Sequence, residues 1–262
     1  MATQGEISRR EQSILEQLLR TGSITVEEIV AKFNVSVATA RRDLEALEKR
    51  SRLRRTHGGA ISLEPLLYEP FRHVSSYQEQ VERCADEKRR IALAAAELIN
   101  EGDTIALTPG TTTTQITRSI PPHKKITVVT NTVNVAMELS NRSGVNVFVT
   151  GGFLHGGWFS LVGEAATDAL RRIFVDKVFI GANGVHAEHG VTAYHPDEAA
   201  LNSVMVRQAK QKIVVADHSK LGVVATHVFC LSSDINLLIT DTGATDDAVA
   251  GLVAKGVEIR RV

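Results

Sequence analysis

The sequence predicts an α/β protein in which a small helical N-terminal part precedes a larger domain built on a parallel β-sheet. Apolar residues recur at helical spacing through the first fifty positions, and seven β-rich runs follow after position 100. Helical segments separate these runs, which is typical of consecutive strands that pair in parallel with helices on both faces of the sheet. The composition, 43% hydrophobic and 23% charged over 262 residues, is that of an ordinary globular protein.

The same sequence argues against several protein classes. No apolar run approaches the roughly 18 to 20 residues that cross a bilayer, and the polar segment 1–10 has no apolar signal-peptide core. The two cysteines, Cys84 and Cys230, are too far apart in sequence to form a disulfide framework or a metal cluster by themselves. We therefore expect a cytoplasmic protein with no membrane partner.

Three short helices are predicted at the N-terminus. Apolar residues at helical spacing place the first over residues 8–21, before Gly22. Thr25 and Glu28 have the spacing of a capping box, which begins a second helix of about two turns that reaches Phe33. After a tight turn, Ser36 can cap a third helix whose apolar positions lie on one face.

Basic residues concentrate in and after the third helix. The 30 Lys and Arg of the whole chain balance its 30 Asp and Glu, yet residues 37–60 hold seven basic and three acidic side chains, a net charge of +4. Segment 51–60 ends in a Gly-Gly-Ala sequence and predicts a small β-hairpin, or wing. Two helices joined by a tight turn, with polar and basic residues on the second, are typical of a helix-turn-helix that enters the DNA major groove.

The candidate DNA contacts fall into two groups. In the third helix they are Ser36, Thr39, Arg41 and Arg42, which we expect to meet phosphates and base edges. In the wing they are Arg52, Arg54, Arg55 and His57, which we expect on the DNA backbone or in the minor groove. The alternative is a solvated amphipathic helix pair with a charged tail. Because one small domain offers few contacts, specific binding requires a homo-oligomer, a dimer or a tetramer, on repeated half-sites.

The predicted domain limits follow from these patterns. Residues 1–60 form the winged helix-turn-helix, residues 61–76 form a linker with two prolines, and residues 77–262 form the α/β domain that supplies oligomerisation. The predicted helical segments of this domain are 86–100, 132–139, 164–171 and 197–210. Its predicted strands are 104–107, 126–130, 145–150, 177–182, 213–216, 237–240 and 257–262.

Loops that follow the strands carry the candidate ligand site, because ligands of open α/β sheets lie beyond the carboxyl ends of the strands. Segment 108–114, Thr-Pro-Gly-Thr-Thr-Thr-Thr, follows the first strand and opens a helix. Backbone amides at a helix N-terminus, a glycine and several hydroxyls together can cradle a phosphate. The segment lacks the Gly-Lys-Ser/Thr of a P-loop, and an ordinary capped turn would use some of the same residues.

Other strand ends add polar groups to the same site. Lys220 can act as a point charge for a phosphate or carboxylate, Asn131 and Asn183 can bond sugar hydroxyls, and Glu198 can accept hydroxyl protons. The alternative for Lys220 and Glu198 is an ordinary surface pair. The candidate effector-binding residues are Thr108, Gly110, Thr111, Thr112, Thr113, Asn131, Gly151, Gly152, Gly181, Asn183, Glu198, Asp217 and Lys220.

Four histidines raise the question of a metal site: His186, His189, His195 and His218. Segment 186–189 is followed by a glycine and has no strong helical pattern, so it lacks the spacing that places two imidazoles on one helix face. We predict neither a metal site nor a cofactor. Trp158 and Phe159 either pack at a subunit contact, cover the ligand cleft or lie in the core.

Motifs in both parts of the chain resemble those of DeoR-type transcriptional regulators. In the N-terminal part they are Thr39-Ala-Arg-Arg-Asp-Leu44 and Arg54-Arg-Thr-His-Gly-Gly-Ala60. In the larger part they are Glu87-Lys-Arg-Arg-Ile91, Gly102-Asp-Thr104, Gly110-Thr-Thr-Thr113, Thr130-Asn131, Gly151-Gly152, Gly181-Ala-Asn-Gly184, Asp197-Glu198 and Asp217-His-Ser-Lys220. The resemblance covers nearly the whole chain.

This resemblance implies a winged helix-turn-helix joined to a sensor domain related in fold to ribose-5-phosphate isomerases. It further implies a repressor of a sugar-use operon that binds operator DNA and takes a phosphorylated sugar as its inducer. The chain departs from the family pattern at two places. Thr108 and Pro109 stand where the family often has an aspartate, and Arg50 and Ser51 stand where a glycine is common near the start of the wing.

A second hypothesis, from another class, is a sugar-phosphate isomerase. Glu198 or Asp217 would serve as its base and Lys220 as its electrostatic stabiliser. This hypothesis explains the α/β domain but gives the helix-turn-helix and its local charge no purpose, and Thr108 removes a carboxylate from the first loop. We therefore expect no enzymatic activity and no catalytic residue.

Overall fold

A computed structural model describes residues 10–11, 13–15, 17–18, 23–49, 53–56, 58–62, 75–155 and 158–262, with only the backbone of residues 54, 62, 75, 76 and 78. The chain divides into two compact units, residues 1–75 and 76–262. The predicted limits at 60 and 77 remain a proposal, and a strand of the first unit continues to Ser62.

The first unit contains two described helices and a three-stranded antiparallel sheet. The helices are α1 (Val26–Phe33) and α2 (Val37–Lys49). The strands are β1 (Ser23–Thr25), β2 (Leu53–Thr56) and β3 (Gly59–Ser62), in the order β1-β3-β2. The predicted wing is therefore present as the β2–β3 hairpin. Strand β1 was not predicted, because it has only three residues, the last of which is the N-cap of α1, and so shows no recognisable period.

The predicted first helix is only partly described: residues 10, 11, 13–15, 17 and 18 are helical, and the rest of segment 8–22 lies outside the described residues. Ile14 and Leu18 are buried with Ile29, Leu44 and Leu53 in one apolar cluster, which packs the helices against the wing. Burying these side chains contributes roughly 1.5 to 3 kcal/mol each, before the loss of chain entropy.

The second unit is built on a seven-stranded sheet in the order β15-β14-β12-β9-β4-β5-β6, in which every neighbouring pair is parallel. Its strands are β4 (Thr104–Leu107), β5 (Ile126–Thr130), β6 (Val145–Val149), β9 (Val175–Ile180), β12 (Ala209–Val215), β14 (Leu237–Thr240) and β15 (Glu258–Arg261). All seven coincide with the predicted β-rich runs within a few residues, so the predicted parallel α/β class is confirmed.

Helices cover both faces of this sheet. They are α3 (Ser75–Glu82), α4 (Ala85–Glu97), α5 (Thr111–Ser119), α6 (Val133–Leu139), α7 (Glu164–Leu170), α8 (Pro196–Arg207) and α9 (Asp246–Ala254). Along β4, Ile105 and Leu107 belong to one apolar cluster, whereas Ala106 belongs to the other. Burial on both faces explains why inner strands such as β4 and β14 read as apolar runs, whereas the edge strands β6 and β15 are partly exposed.

Three features of the second unit differ from the prediction. The helix predicted over 86–100 is present as α4, but a further helix that was not predicted, α3, precedes it. The two helices are separated at Cys84, whose φ of 53° lies in the left-handed region. An antiparallel hairpin joins β7 (Phe153–His155) to β8 (Ser160–Val162), and a small antiparallel sheet has the order β10-β11-β13. Its strands are β10 (Gly184–His186), β11 (Gly190–Ala193) and β13 (His227–Cys230). Strands of three or four residues stand out in the sequence only where they form a continuous apolar run, as β4 and β14 do.

The predicted linker, residues 61–76, has described structure only at its two ends. Residues 61–62 complete β3 and residues 75–76 begin α3, while residues 63–74 lie outside the described part. Among the described residues, no helix combines the length and apolar character that a membrane crossing needs.

Candidate functional site

A cavity of about 240 Å³ lies at the carboxyl ends of three adjacent strands, β4, β9 and β12. The chain adds strands to one side of β4 through β5 and β6, and then to the other side through β9, β12 and β14. The cavity therefore lies at the point where the strand order reverses, which is where open α/β sheets bind ligands. Its walls come from the loops after these strands together with α3, α4 and α8.

The loop between β4 and α5 forms one wall. Gly110, Thr111 and Thr112 line the cavity, and Gly110 is the N-cap of α5. The first backbone amides of a helix have no partner within the helix, so this wall presents N–H groups and the positive end of the helix dipole. Glycine at 181 permits this close approach, because a Cβ there would lie 2.9 Å from the carbonyl oxygen of Pro109.

Two predicted threonines support this loop from behind. Thr113 Oγ1 donates to the carbonyl oxygens of Thr108 at 2.7 Å and Gly110 at 2.9 Å. Thr108 Oγ1 accepts a hydrogen bond of 2.9 Å from the Gly181 amide. Both side chains are fully buried. In the structure, Thr108 and Thr113 therefore hold the loop together, and the residues that line the cavity lie between them.

Two lysines also line the cavity. Lys220 lies in the turn after β12, and Lys88 lies on α4 with only 3% of its surface exposed. Burial lowers the pKa of both ammonium groups, and the carboxylate of Asp217 opposes this shift in each case. Among the described residues, neither lysine has a carboxylate within ion-pair distance. The cavity therefore holds two partly desolvated cations beside a helix N-terminus.

Lys88 was not among the predicted site residues. It stands in the run Glu87-Lys-Arg-Arg-Ile91, where a lysine reads as solvated helix surface. A usable indication was its position three residues before Ile91 and seven before Ala95, both buried, because this spacing puts Lys88 on the buried face of α4.

Other lining residues offer groups that suit hydroxyls. Glu198 and Asn202 line it from α8, four residues apart and so on one helix face. Glu198 Oε1 accepts a hydrogen bond of 2.8 Å from Ser160 Oγ. Asn202 is buried, and its Oδ1 has no hydrogen-bond partner in the described structure. A buried amide oxygen without a partner is costly, so a ligand hydroxyl is a chemically suitable partner.

Asn183 and Asp217 complete the polar lining. Asn183 Oδ1 accepts a hydrogen bond of 3.3 Å from the Tyr194 amide, which fixes the side chain at the cavity wall. Asp217 is buried, and its Oδ1 accepts from the amide of Ser219 at 3.1 Å and from the Ser219 hydroxyl at 2.5 Å. These bonds cap the short turn His218–Lys220 and so position Lys220.

Eight of the predicted effector residues line the cavity: Gly110, Thr111, Thr112, Gly181, Asn183, Glu198, Asp217 and Lys220. Thr108, Thr113, Asn131, Gly151 and Gly152 are not among its lining residues. Asn131 instead exchanges two bonds with Leu161, from its Nδ2 to the carbonyl oxygen at 3.1 Å and from the Leu161 amide to its own carbonyl at 2.6 Å. A Cβ on residue 152 would lie 2.5 Å from the carbonyl oxygen of Val162. The described contacts of Asn131 and Gly152 thus hold the β7–β8 hairpin.

Trp158 and Phe159 have different surroundings in the structure, whereas the rings of His186 and His189 lie 4.8 Å apart between centroids. Trp158 lines the cavity, whereas Phe159 is buried and packs edge-on against Tyr77 at 5.1 Å between ring centroids. His195 lines the cavity and packs against His155 at 4.7 Å between ring centroids. Within the described ranges, no group of three or more His, Cys, Asp or Glu is placed to hold a metal ion.

The candidate DNA-contacting residues lie in the first unit. Ser36 precedes α2, and its Oγ accepts a hydrogen bond of 3.1 Å from the Thr39 amide, so it caps the helix as predicted. Arg41 and Arg42 are exposed on the same helix. Arg55 is exposed on β2 and pairs with Glu48 at 3.1 Å. Arg52, His57 and the side chain of Arg54 lie outside the described residues.

Comparison with known families matches both units. The family described as "DeoR-like helix-turn-helix domain" matches residues 10–65, and the family described as "DeoR C terminal sensor domain" matches residues 83–242. The second match alone covers more than half of the chain.

Named proteins of similar sequence match over most of their length. A protein of Escherichia coli O157:H7 named for transcriptional repression of the aga operon is 36% identical over 97% of this chain and 93% of its own. The HTH-type transcriptional repressor GlcR of Bacillus subtilis strain 168 is 36% identical over 87% of this chain and 86% of its own.

Among solved structures, the ribose 5-phosphate isomerase A of Methanocaldococcus jannaschii aligns with a TM-score of 0.40 and 17% identity. The alignment covers 52% of this chain and 54% of the isomerase. The parallel α/β fold of the present chain is established by the pairing of its own strands.

Proposed function

The chain belongs to the DeoR family of transcriptional regulators, and from that premise we propose that it represses a carbohydrate-use operon and leaves its operator when it binds a phosphorylated sugar. It is a DNA-binding regulator and not an enzyme. The relatives that it matches over most of their length are likewise named as transcriptional repressors. The proposal concerns the direction of regulation, the effector and the contacts that couple them.

The observation that carries the effector proposal is the pair of lysines beside the α5 N-terminus. A phosphate monoester carries between one and two negative charges near neutral pH and offers oxygens that accept from ammonium and amide groups. Lys88, Lys220 and the amides of residues 110–112 supply such donors in one cavity. The lysines have no carboxylate partner at ion-pair distance in the described structure. An anion that binds them therefore gains more interaction energy than it would from solvated lysines at the surface.

The remaining lining favours a polyhydroxylated body on that anion. Glu198, Asn183 and Asn202 offer oxygen acceptors for hydroxyl groups. In the described structure, no group donates a hydrogen bond to Asn202 Oδ1. Trp158 and Tyr194 add ring surface for the apolar face of a sugar. A phosphorylated sugar therefore matches both the cationic and the hydroxyl-binding residues that line the cavity.

The isomerase hypothesis is not favoured. The relatives named above are regulators, and the helix-turn-helix has no purpose in an isomerase. The first loop presents Thr108, whose hydroxyl already accepts from the Gly181 amide, where an isomerase-like site would gain from a carboxylate. Glu198 remains in the cavity, and we assign it to hydroxyl recognition.

For the DNA arm, we assign Arg41 and Arg42 on α2 to the major groove, with Ser36 and Thr39 at the end of the helix that reads base edges. Arg55 and the other predicted wing residues, Arg52, Arg54 and His57, are assigned to the phosphate backbone. A homo-oligomer, either a dimer or a tetramer, brings two such helices to repeated half-sites. Effector and operator then change each other's affinity by the same factor.

The test is binding of the full chain to the DNA upstream of its own gene, titrated with salt and repeated with a panel of aldose and ketose phosphates. We expect specific binding that one sugar phosphate weakens at least fivefold. Lys220→Met should lose that response, whereas Lys210→Met should keep it, because Lys210 is an exposed lysine paired with Asp176 outside the cavity. Specific DNA binding that no sugar phosphate changes would overturn the effector assignment.

A further inference from the structure

Helix α3 is the first described element after residues 63–74, the segment that joins it to the DNA-binding unit. Its eight residues are too few for a stable isolated helix, so its order depends on what it touches in the second unit. Two of its contacts involve residues that line the effector cavity, and its own Gln80 lines it too. The occupancy of the cavity can therefore reach this helix directly.

The C-terminal contact is made by Lys88. Its Nζ donates to the carbonyl oxygen of Gln80 and, at 2.6 Å, to that of Arg83. These carbonyls belong to the end of α3 and the turn after it, where helix carbonyls lack partners and a cation is stabilising. The side chain of Gln80 also accepts from Lys220 Nζ at 3.4 Å. Both cavity lysines thus face the same residue of α3.

The N-terminal contact is made by Tyr77. Its hydroxyl accepts a hydrogen bond of 3.1 Å from Asn134 Nδ2 and lies 3.4 Å from Thr114 Oγ1 on α5. Residues 108–114, which contain the loop before α5 and the first turn of that helix, are called the phosphate loop from here on. Its ring packs edge-on against Trp158, which lines the cavity, at 6.2 Å between centroids. Helix α3 is therefore held at both ends by groups that a ligand would touch or adjoin.

The hydrogen-bonding capacity of Lys88 determines the direction of the effect. A lysine ammonium has three N–H donors, and the two carbonyls take two of them. The third has no partner among the described residues, so it can meet an anion in the cavity without loss of the other two. An anion also offsets the burial that disfavours the charged ammonium.

We propose that α3 is the readout helix of the effector site: an anionic ligand bonds the third donor of Lys88, stabilises its contacts with Gln80 and Arg83, and so fixes α3 against the second unit. This fixes the end of the segment that leads to the DNA-binding unit. The inference rests on the proposed function and adds to it the element through which binding is transmitted.

Hydrogen exchange of the full chain tests this proposal. Exchange is followed in peptides that cover α3 and the phosphate loop, first in chloride buffer and then with inorganic phosphate or a sugar phosphate at equal ionic strength. We expect the amides of α3 to exchange about tenfold more slowly with the ligand, since a hydrogen bond to a charged group is worth at least one decade in the opening equilibrium. The amides of residues 110–114 should be protected as well.

Two variants separate transmission from binding. Lys88→Met should remove the ligand-dependent slowing in α3 while the phosphate loop, still facing Lys220, keeps some protection. Lys124→Met is the matched control, because Lys124 also donates to a carbonyl beyond a helix end, that of Ile99, but does not line the cavity. It should leave the response of α3 unchanged.

The possible outcomes separate a failure of this inference from a failure of the proposed effector site. Protection of the phosphate loop without any change in α3 of the wild-type chain overturns the inference and leaves the effector site intact. Faster exchange of α3 on ligand binding also overturns it. The ligand would then compete with the carbonyls of Gln80 and Arg83 for the donors of Lys88, instead of taking its third donor. No protection in either segment with inorganic phosphate or any sugar phosphate overturns the effector site itself.

Discussion

The hydroxyl of Ser160 donates a 2.8 Å hydrogen bond to Oε1 of Glu198 inside the second unit. Ser160 begins β8 and is fully buried, and Glu198 lies in the first turn of α8. The bond therefore orients the carboxylate that α8 contributes to the cavity lining. Glu198 Oε1 is held by protein, so recognition of the ligand falls to the remaining acceptor positions of the carboxylate.

This geometry predicts different effects of one substitution on two ligands. Glu198→Gln should weaken a sugar phosphate by roughly tenfold, because a hydrogen bond to a charged group contributes about 1.5 kcal/mol or more. It should leave inorganic phosphate nearly unchanged, since that ion needs only the lysines and the loop amides. Isothermal titration calorimetry measures the affinity of both ligands for the variant and the wild type. An equal loss of affinity for both would contradict the assignment of Glu198 to hydroxyl recognition.

The lowered pKa values of Lys88 and Lys220 predict opposite pH effects on ligand binding and on stability. Above about pH 8 a phosphate monoester, with a second pKa near 6, is fully ionised, so any further change belongs to the protein. Affinity for the anion should fall as pH rises through the lowered lysine pKa values, because the neutral amines no longer attract it. Fluorescence or calorimetric titration at constant ionic strength follows this loss.

The same shifts raise the stability of the ligand-free protein with pH. In the window between each lowered pKa and its usual value of 10.5, the unfolded chain binds more protons than the folded chain. Its free energy of unfolding should therefore rise with pH there, and less steeply in Lys88→Met than in the wild type. Identical slopes in denaturant titrations of the two proteins would remove Lys88 from this account.

Arg42 provides the test of the DNA surface. Arg42→Ala should weaken specific DNA binding and, if Arg42 meets one phosphate, make the salt dependence shallower by about 0.9 in the log–log slope. Lys49→Ala is the matched control, because Lys49 lies at the far end of the same helix and pairs with Glu45. Equal binding by both variants and the wild type in a salt-titrated fluorescence assay would exclude Arg42 from the contact surface.

The capping box at the start of α1 predicts a change in stability confined to the first unit. Thr25 Oγ1 accepts from the Glu28 amide at 3.1 Å, and Glu28 Oε2 accepts from the Thr25 amide at 2.7 Å. Thr25→Ala should therefore lower the free energy of unfolding of this unit by about 1 kcal/mol. Glu27→Ala, next to the box but outside it, should change it by a few tenths of that. Hydrogen exchange in residues 26–33 measures both.

Local patterns in the sequence were sufficient for much of this structure. The spacing of Thr25 and Glu28 specified a helix start, because a capping box is formed by residues three apart in the chain. The seven β-rich runs specified the strands, and the helices between them specified parallel pairing. The loops after the strands could be named as ligand-binding candidates for the same reason.

Which of those loops meet was decided by the order of the strands. Strand β4 pairs with β9, although some seventy residues separate them in the chain, and β9 pairs with β12. The loops after these three strands therefore share one cavity. Asn131 and Gly151 instead follow β5 and β6, which lie on the other side of β4 from β9. Local periodicity specifies that a strand forms but not which strand becomes its neighbour. The same packing of distant elements buried Lys88 against the cavity, so the sequence determined the elements and their loops, and only the tertiary structure decided which polar groups act together.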